Sequence, residues 1–104
     1  MRIEHERPGR VVVLDGRLDV STVADVRLAL HDAVDTGTGE LVIDLTRVEL
    51  TDATGLGVLV GAHRRAGRAG RRMVLHNVPL PISRLLYRTR LDRVLATGSR
   101  LPAA

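Results

Sequence analysis

Leu41-Val-Ile-Asp44-Leu-Thr-Arg-Val-Glu-Leu50-Thr-Asp52-Ala53-Thr54-Gly55-Leu56-Gly57-Val-Leu-Val-Gly61 is the stretch that decides the fold. Residues 41–45 are almost continuously apolar and β-rich, the pattern of a strand covered on both faces. From Leu56 the period changes: Leu56, Leu59, Val60, His63 and Gly67 follow i, i+3, i+4, i+7 and i+11, a helical stripe. A short crossing loop is expected between the two, with Asp52, Ala53, Thr54 and Gly55 at the junction. Asp52 and Thr54 are residue types that cap the free N–H groups of a first helical turn. Gly55 and Gly57 remove side chains where a second backbone or a partner surface can approach. A hydroxyl held at such a helix start is an addressable position, because a dianion placed there meets free N–H donors and the positive end of the helix dipole.

Outward from this unit the chain alternates strand and helix. Residues 3–6 and 11–14 are β-type runs separated by Arg7-Pro8-Gly9-Arg10, a turn pattern that predicts an N-terminal hairpin. Ser21 is a candidate N-cap for an amphipathic helix running to about Asp35, with Val23, Val26, Leu30, Ala33 and Val34 as its inner face. A helix is expected from about Thr54 to Ala66, closed by Gly67 or Gly70, then a strand at 73–76. Pro81 suits the first position of a further helix with Ile82, Leu85, Leu86 and Thr89 inward. Residues 94–96 are read as a last short strand, followed by a frayed end. The resulting order β-β-α-β-α-β-α-β predicts an α/β fold. Its sheet is mixed, mostly parallel and four- to five-stranded, with the helices packed on it. No linker or internal repeat divides residues 1–104, so one domain is expected.

Composition narrows the chemistry. The chain has 104 residues, no cysteine, a formal charge of +4 and an apolar content of 44%. Disulfides and thiolate chemistry are excluded by the missing cysteines. No apolar run reaches the roughly 20 residues of a membrane span, and the N-terminus lacks the apolar region of a signal peptide, so a cytoplasmic protein without membrane association is expected. All 16 basic residues are arginine, and the sole aromatic side chain is Tyr87. A basic domain raises the question of nucleic acid, and residues 64–72 form the densest cationic cluster. One tyrosine offers no stacking platform, however, and the cluster reads more simply as a solvated helix end. The four histidines, 5, 31, 63 and 76, match no metal-ligand spacing. Gly55-x-Gly57-x-x-x-Gly61 is one residue too long for a dinucleotide fingerprint; Gly57 and Gly61 are expected to let helix and sheet pack closely. Asp19, Asp44 and Asp52 could converge near the strand ends. With no serine elbow, metal set or cofactor motif to accompany them, neither an enzyme nor a cofactor is expected.

Asp52-Ala53-Thr54-Gly55-Leu56-Gly57 after an apolar strand ending Asp44-Leu45 resembles the signature of the STAS family of anti-sigma-factor antagonists. Gly16-Arg17-Leu18-Asp19 is similar to that family's Gly-Glu-Leu-Asp, and the resemblance extends over roughly residues 11–95. It implies the same α/β architecture. It also implies that Thr54, directly before the glycine, is phosphorylated. Asp19, Ser21, Asp52, Ala53, Thr54, Gly55 and Leu56 would then contact the partner. That partner would be an anti-sigma factor with serine/threonine kinase activity, reset by a serine/threonine phosphatase, and the free protein would be a monomer. Three departures stand out: Ala53 leaves one hydroxyl in place of the usual pair, Arg17 replaces an acidic residue, and Arg90 stands where the family favours a helix-ending glycine. Two other readings compete: a STAS scaffold that no longer switches, and a small basic nucleic-acid-binding domain built on the 64–72 cluster.

Overall fold

The structure, a computed structural model, describes residues 1–50 and 53–98. The hairpin forms as its turn residues require, with β1 (Arg2–Arg7) antiparallel to β2 (Val11–Leu18) and Gly9 at a left-handed φ of +73°. The chain continues through α1 (Val23–Thr36), β3 (Leu41–Leu50), α2 (Ala53–Arg68), β4 (Met73–His76) and α3 (Leu80–Arg88). A single 3₁₀ turn (Leu91–Arg93) then leads to β5 (Ala96–Gly98). The sheet has five strands in the order β1-β2-β3-β4-β5, and every pair after the hairpin is parallel. Each crossover therefore steps to the next neighbour in the same direction. With right-handed connections this stacks the helices on one face of the sheet. Side chains from all three helices accordingly share one core with the strands. Val26 and Leu30 of α1, Leu59 and Ala62 of α2, and Ile82 and Leu86 of α3 meet Leu14, Ile43 and Leu75 there.

Several local expectations are corrected. β3 does not stop at Leu45 but runs to Leu50, and β2 runs with it to Leu18, pairing Gly16 with Val48 and Leu18 with Leu50. A register shift between Val13 and Asp15 places a bulge opposite them, and the consecutive exposed residues Thr46 and Arg47 mark it. Asp44 is consequently mid-strand rather than at a converging strand end. Its buried carboxylate accepts the Thr46 N–H (2.9 Å) and hydroxyl, and Asn77 Nδ2 donates to its other oxygen. In α2 the buried positions are Gly55, Leu56, Val58, Leu59, Ala62 and Ala66; Val60 and His63 are half-buried, and Gly67 is exposed. The expected stripe thus drifts onto the two alanines, whose small side chains complete the inward face. Gly57 and Gly61 have open space beside them and do not serve close packing. The helix outlasts Ala66 by two residues, and Gly70, at φ +71°, follows its end while Arg71 N–H bonds back to the Ala66 carbonyl (2.8 Å).

The last strand also shifts. Val94 sits in the turn after the 3₁₀ segment, and β5 begins at Ala96; residues beyond Gly98 lie outside those described. Thr89, expected inward, is the exposed C-cap of α3, donating its hydroxyl to the Leu85 carbonyl (2.8 Å). Arg90 adopts the left-handed conformation (φ +61°, ψ +16°) for which glycine is the usual residue. An Arg90→Gly variant is therefore expected to gain about 0.5–1 kcal/mol in urea denaturation, the relieved left-handed strain outweighing glycine's added freedom in the unfolded chain.

Two arginines tie the α1 end of the molecule together. Arg71, 7% exposed, belongs by sequence to the cationic cluster but is not solvated. Its guanidinium donates to the carbonyls of Ala33 (2.8 Å) and Val34 (3.0 Å) near the end of α1, to Gly39 (3.0 Å) in the following loop, and to Gly9 in the hairpin turn. Arg65 forms a two-pronged ion pair with Asp35, Nε to Oδ1 at 3.1 Å and Nη2 to Oδ2 at 2.6 Å, joining α2 to α1. The Arg65 guanidinium bonded to it holds the Asp35 carboxyl below its ordinary value. A depressed carboxylate contributes stability above its unfolded value, about 3.8, and loses it as pH falls through the lower folded value. The Tm difference between wild type and Asp35→Asn should therefore be open at neutral pH and close on acidification below that point.

Candidate functional site

The parallel strands β2 and β3 end side by side at Leu18 and Leu50, and the segments that leave them form the site. On the β2 side, Asp19 starts a turn in which its carboxylate accepts both the N–H (2.9 Å) and the hydroxyl (2.6 Å) of Ser21. Thr22 Oγ1 accepts the Asp19 N–H (3.0 Å) and donates to the Arg17 carbonyl (2.9 Å). Thr22, not Ser21, occupies the N-cap position of α1, without a side-chain capping bond, and the Ser21 hydroxyl is engaged by Asp19. The Ser21 hydroxyl and N–H hold the Asp19 carboxyl below its ordinary range, so this turn presents a fixed negative charge at neutral pH.

On the β3 side, Asp52 lies outside the described residues; Ala53 opens α2, and Ala53 and Thr54 are both exposed. Gly55 and Leu56 turn inward and are buried. A Cβ at Gly55 would press on the Leu50 side chain and stand 3.0 Å from Cγ of the fully buried Leu18. Only a glycine thus allows the first turn of α2 to lie this close to the end of β2. That contact sets Thr54 and the Asp19 turn on the same carboxyl edge of the sheet, where open α/β sheets form their sites. Leu56 anchors the turn from below, 4% exposed, so it supports the surface rather than lining it.

Thr54, in the first turn of α2, lies where backbone N–H groups have no intrahelical carbonyl to meet. Among the described residues, no acidic side chain lies in this first turn. A phosphoryl group on Thr54 would sit beside those donors and the positive end of the dipole. Val20, between Asp19 and Ser21, is 78% exposed. Sequence reading passed over it because a single valine in a polar turn belongs to no helical or strand period.

Among the described residues no group of three His, Asp or Glu side chains is placed to hold a metal ion, and no helix is long and apolar enough to cross a membrane.

Residues 1–97 match the sequence family described as "Mlab, STAS domain". The anti-sigma F factor antagonist of Paenibacillus polymyxa is 30% identical over 96 residues, covering 91% of this chain and 82% of that protein. Among solved structures, an anti-sigma factor antagonist from Mycobacterium paratuberculosis superposes with a TM-score of 0.77 at 25% identity, covering 96% of this chain and 85% of that one. The Bacillus cell-fate determinant SpoIIAA in its phosphorylated form gives a TM-score of 0.70 at 20% identity, covering 95% and 91%.

Proposed function

This chain belongs to the STAS family, and on that footing we propose that it is an anti-sigma-factor antagonist switched off by phosphorylation of Thr54. The observation that carries this reading is an exposed threonine in the first turn of α2, on the same sheet edge as the braced Asp19–Val20–Ser21 turn. Unphosphorylated, this edge docks on an anti-sigma factor with serine/threonine kinase activity and displaces the sigma factor. Asp19, Val20, Ser21, Ala53 and Thr54 form the contact, with Asp52 between the two segments in sequence; Gly55 and Leu56 set its shape from beneath. ATP belongs to the partner, which phosphorylates Thr54, and a serine/threonine phosphatase restores the docking form.

The switch needs no change of fold. A phosphoryl group adds about −1.5 to −2 charges at a position fitted closely against the partner. Its desolvation, together with repulsion from the Asp19 carboxylate on the same edge, disfavours the complex, while the helix N–H groups stabilise the phosphate in the free protein.

The test is intact mass after incubation with ATP and each candidate anti-sigma kinase of the same genome. A shift of about 80 Da mapped to Thr54 and absent from Thr54→Ala is the expected result, one phosphoryl group. Complex formation without any shift would instead identify a STAS scaffold that does not switch. Equal incorporation into Thr54→Ala would remove the site assignment.

A further inference from the structure

The outer face of α3 carries a second surface that the Thr54 site does not use. Its inner residues Ile82 and Leu86 lie in the core, while Leu80 and Tyr87 on the other side are 60% and 74% exposed. Pro81, Ser83, Arg84, Tyr87 and Arg88 line a groove of about 600 Å³. A smaller hollow of about 300 Å³ continues on the other side of Tyr87, between Arg88, Arg90 and Arg93, with Asp92 at its edge. No ion pair among the described residues engages Arg84, Arg88, Arg90 or Arg93. Among the described residues, Leu80 and Tyr87 thus stand beside four guanidinium groups and one carboxylate, that of Asp92.

We infer that this groove is a docking site for an acidic amphipathic segment of a protein partner, with Tyr87 as the apolar anchor and Arg84 and Arg88 receiving carboxylates. Charge complementarity selects that occupant. Planar guanidinium groups pair two-pronged with carboxylates, and a rigid tyrosine between arginines is the side-chain combination that dominates binding energies at protein interfaces. A single-stranded nucleic acid would need stacking partners that a single aromatic ring does not supply, and duplex DNA is kept as a competing outcome of the test. A lipid surface would need a broad apolar face, and the apolar face of α3 is already in the core.

α3 leaves the carboxyl end of β4 and runs back toward the start of the parallel strand β5, so Tyr87 lies ~10 Å along the helix axis from Leu80, displaced from the carboxyl edge that carries Thr54. This inference stands without the Thr54 reading.

The test uses a fluorescent helical peptide with glutamate and leucine on one face, titrated into the full chain, with backbone amide NMR to map the contact. The result expected is saturable binding that perturbs residues 80–93. It should weaken at least about tenfold in Arg84→Glu/Arg88→Glu and in Tyr87→Ala, and remain unchanged in Thr54→Glu. All substituted side chains are exposed, and an unaltered Tm confirms that each variant folds. Absence of saturable binding, perturbation mapping elsewhere, or equal affinity for the lysine counterpart of the peptide would overturn the inference. So would tighter binding of duplex DNA or of phosphatidylserine vesicles at the same residues. Concentration-dependent self-association abolished by the same substitutions would likewise assign the groove to a second copy of this chain.

Discussion

Replacing Arg71 with methionine is expected to cost about 3–5 kcal/mol of folding stability, a large part of the margin of a domain of this size. Methionine keeps much of the buried stem but removes every donor. The carbonyls of Ala33 and Val34 belong to the last turn of α1 and have no intrahelical partner for them to meet; Gly9 and Gly39 lie in turns whose carbonyls face the same guanidinium. Each hydrogen bond from a charged donor is worth about 1.5–3 kcal/mol, and stranded buried acceptors carry their own desolvation cost. Burial and the nearby Arg10 lower the basicity of Arg71, yet a guanidinium starts so far above neutrality that it remains charged. Arg71→Lys is expected to fall between the two, since one ammonium cannot fork to the hairpin turn and the helix end together. Urea denaturation of the three proteins decides this, and a loss below about 1 kcal/mol in Arg71→Met would reduce the hub to one contact among many.

Thr54→Glu is expected to weaken docking on the proposed anti-sigma-factor partner by about 30- to 1000-fold, equivalent to about 2–4 kcal/mol, with little change in Tm. The side chain is exposed in the free protein, and a carboxylate in the first turn of α2 complements the dipole. The loss appears only when a partner closes over the edge and must desolvate the new charge beside Asp19. Thr54→Ala should bind within about threefold of wild type, because it adds no charge for the partner to desolvate. Titration calorimetry on the three proteins separates these outcomes. Similar affinities for Thr54→Glu and wild type would mean that the interface lies elsewhere on the domain.

The elements of this fold that could be read from the sequence are those whose evidence is local. The inner face of α1, Val23, Val26, Leu30, Ala33 and Val34, is buried residue for residue as its spacing requires. β4 begins and ends where its apolar run does. Periodicity is a property of one segment against one face, and the core sits on that face whichever neighbours supply it. The helix-start pattern at Thr54-Gly55-Leu56 needed only a strand before it and a period change after it.

Other features depended on partners distant in the chain. Residues 46–50 read as a loop because charged Arg47 and Glu49 interrupt the apolar run; they are strand because β2 extends alongside them and a bulge resets the register. Arg71 looks like its solvated neighbours until the end of α1, the hairpin turn and the loop before β3 converge on it from more than thirty positions away in sequence. Val20 has no period to mark it and gains meaning only through the brace that holds its turn outward. Sequence by itself determined the α/β order, the inner face of α1 and the helix start that carries Thr54, because side-chain period and capping chemistry are written within a few residues. Tertiary structure decided how far β3 runs, what Arg71 holds and which side chains share the Thr54 edge, because strand register and helix placement bring together residues that no local pattern connects.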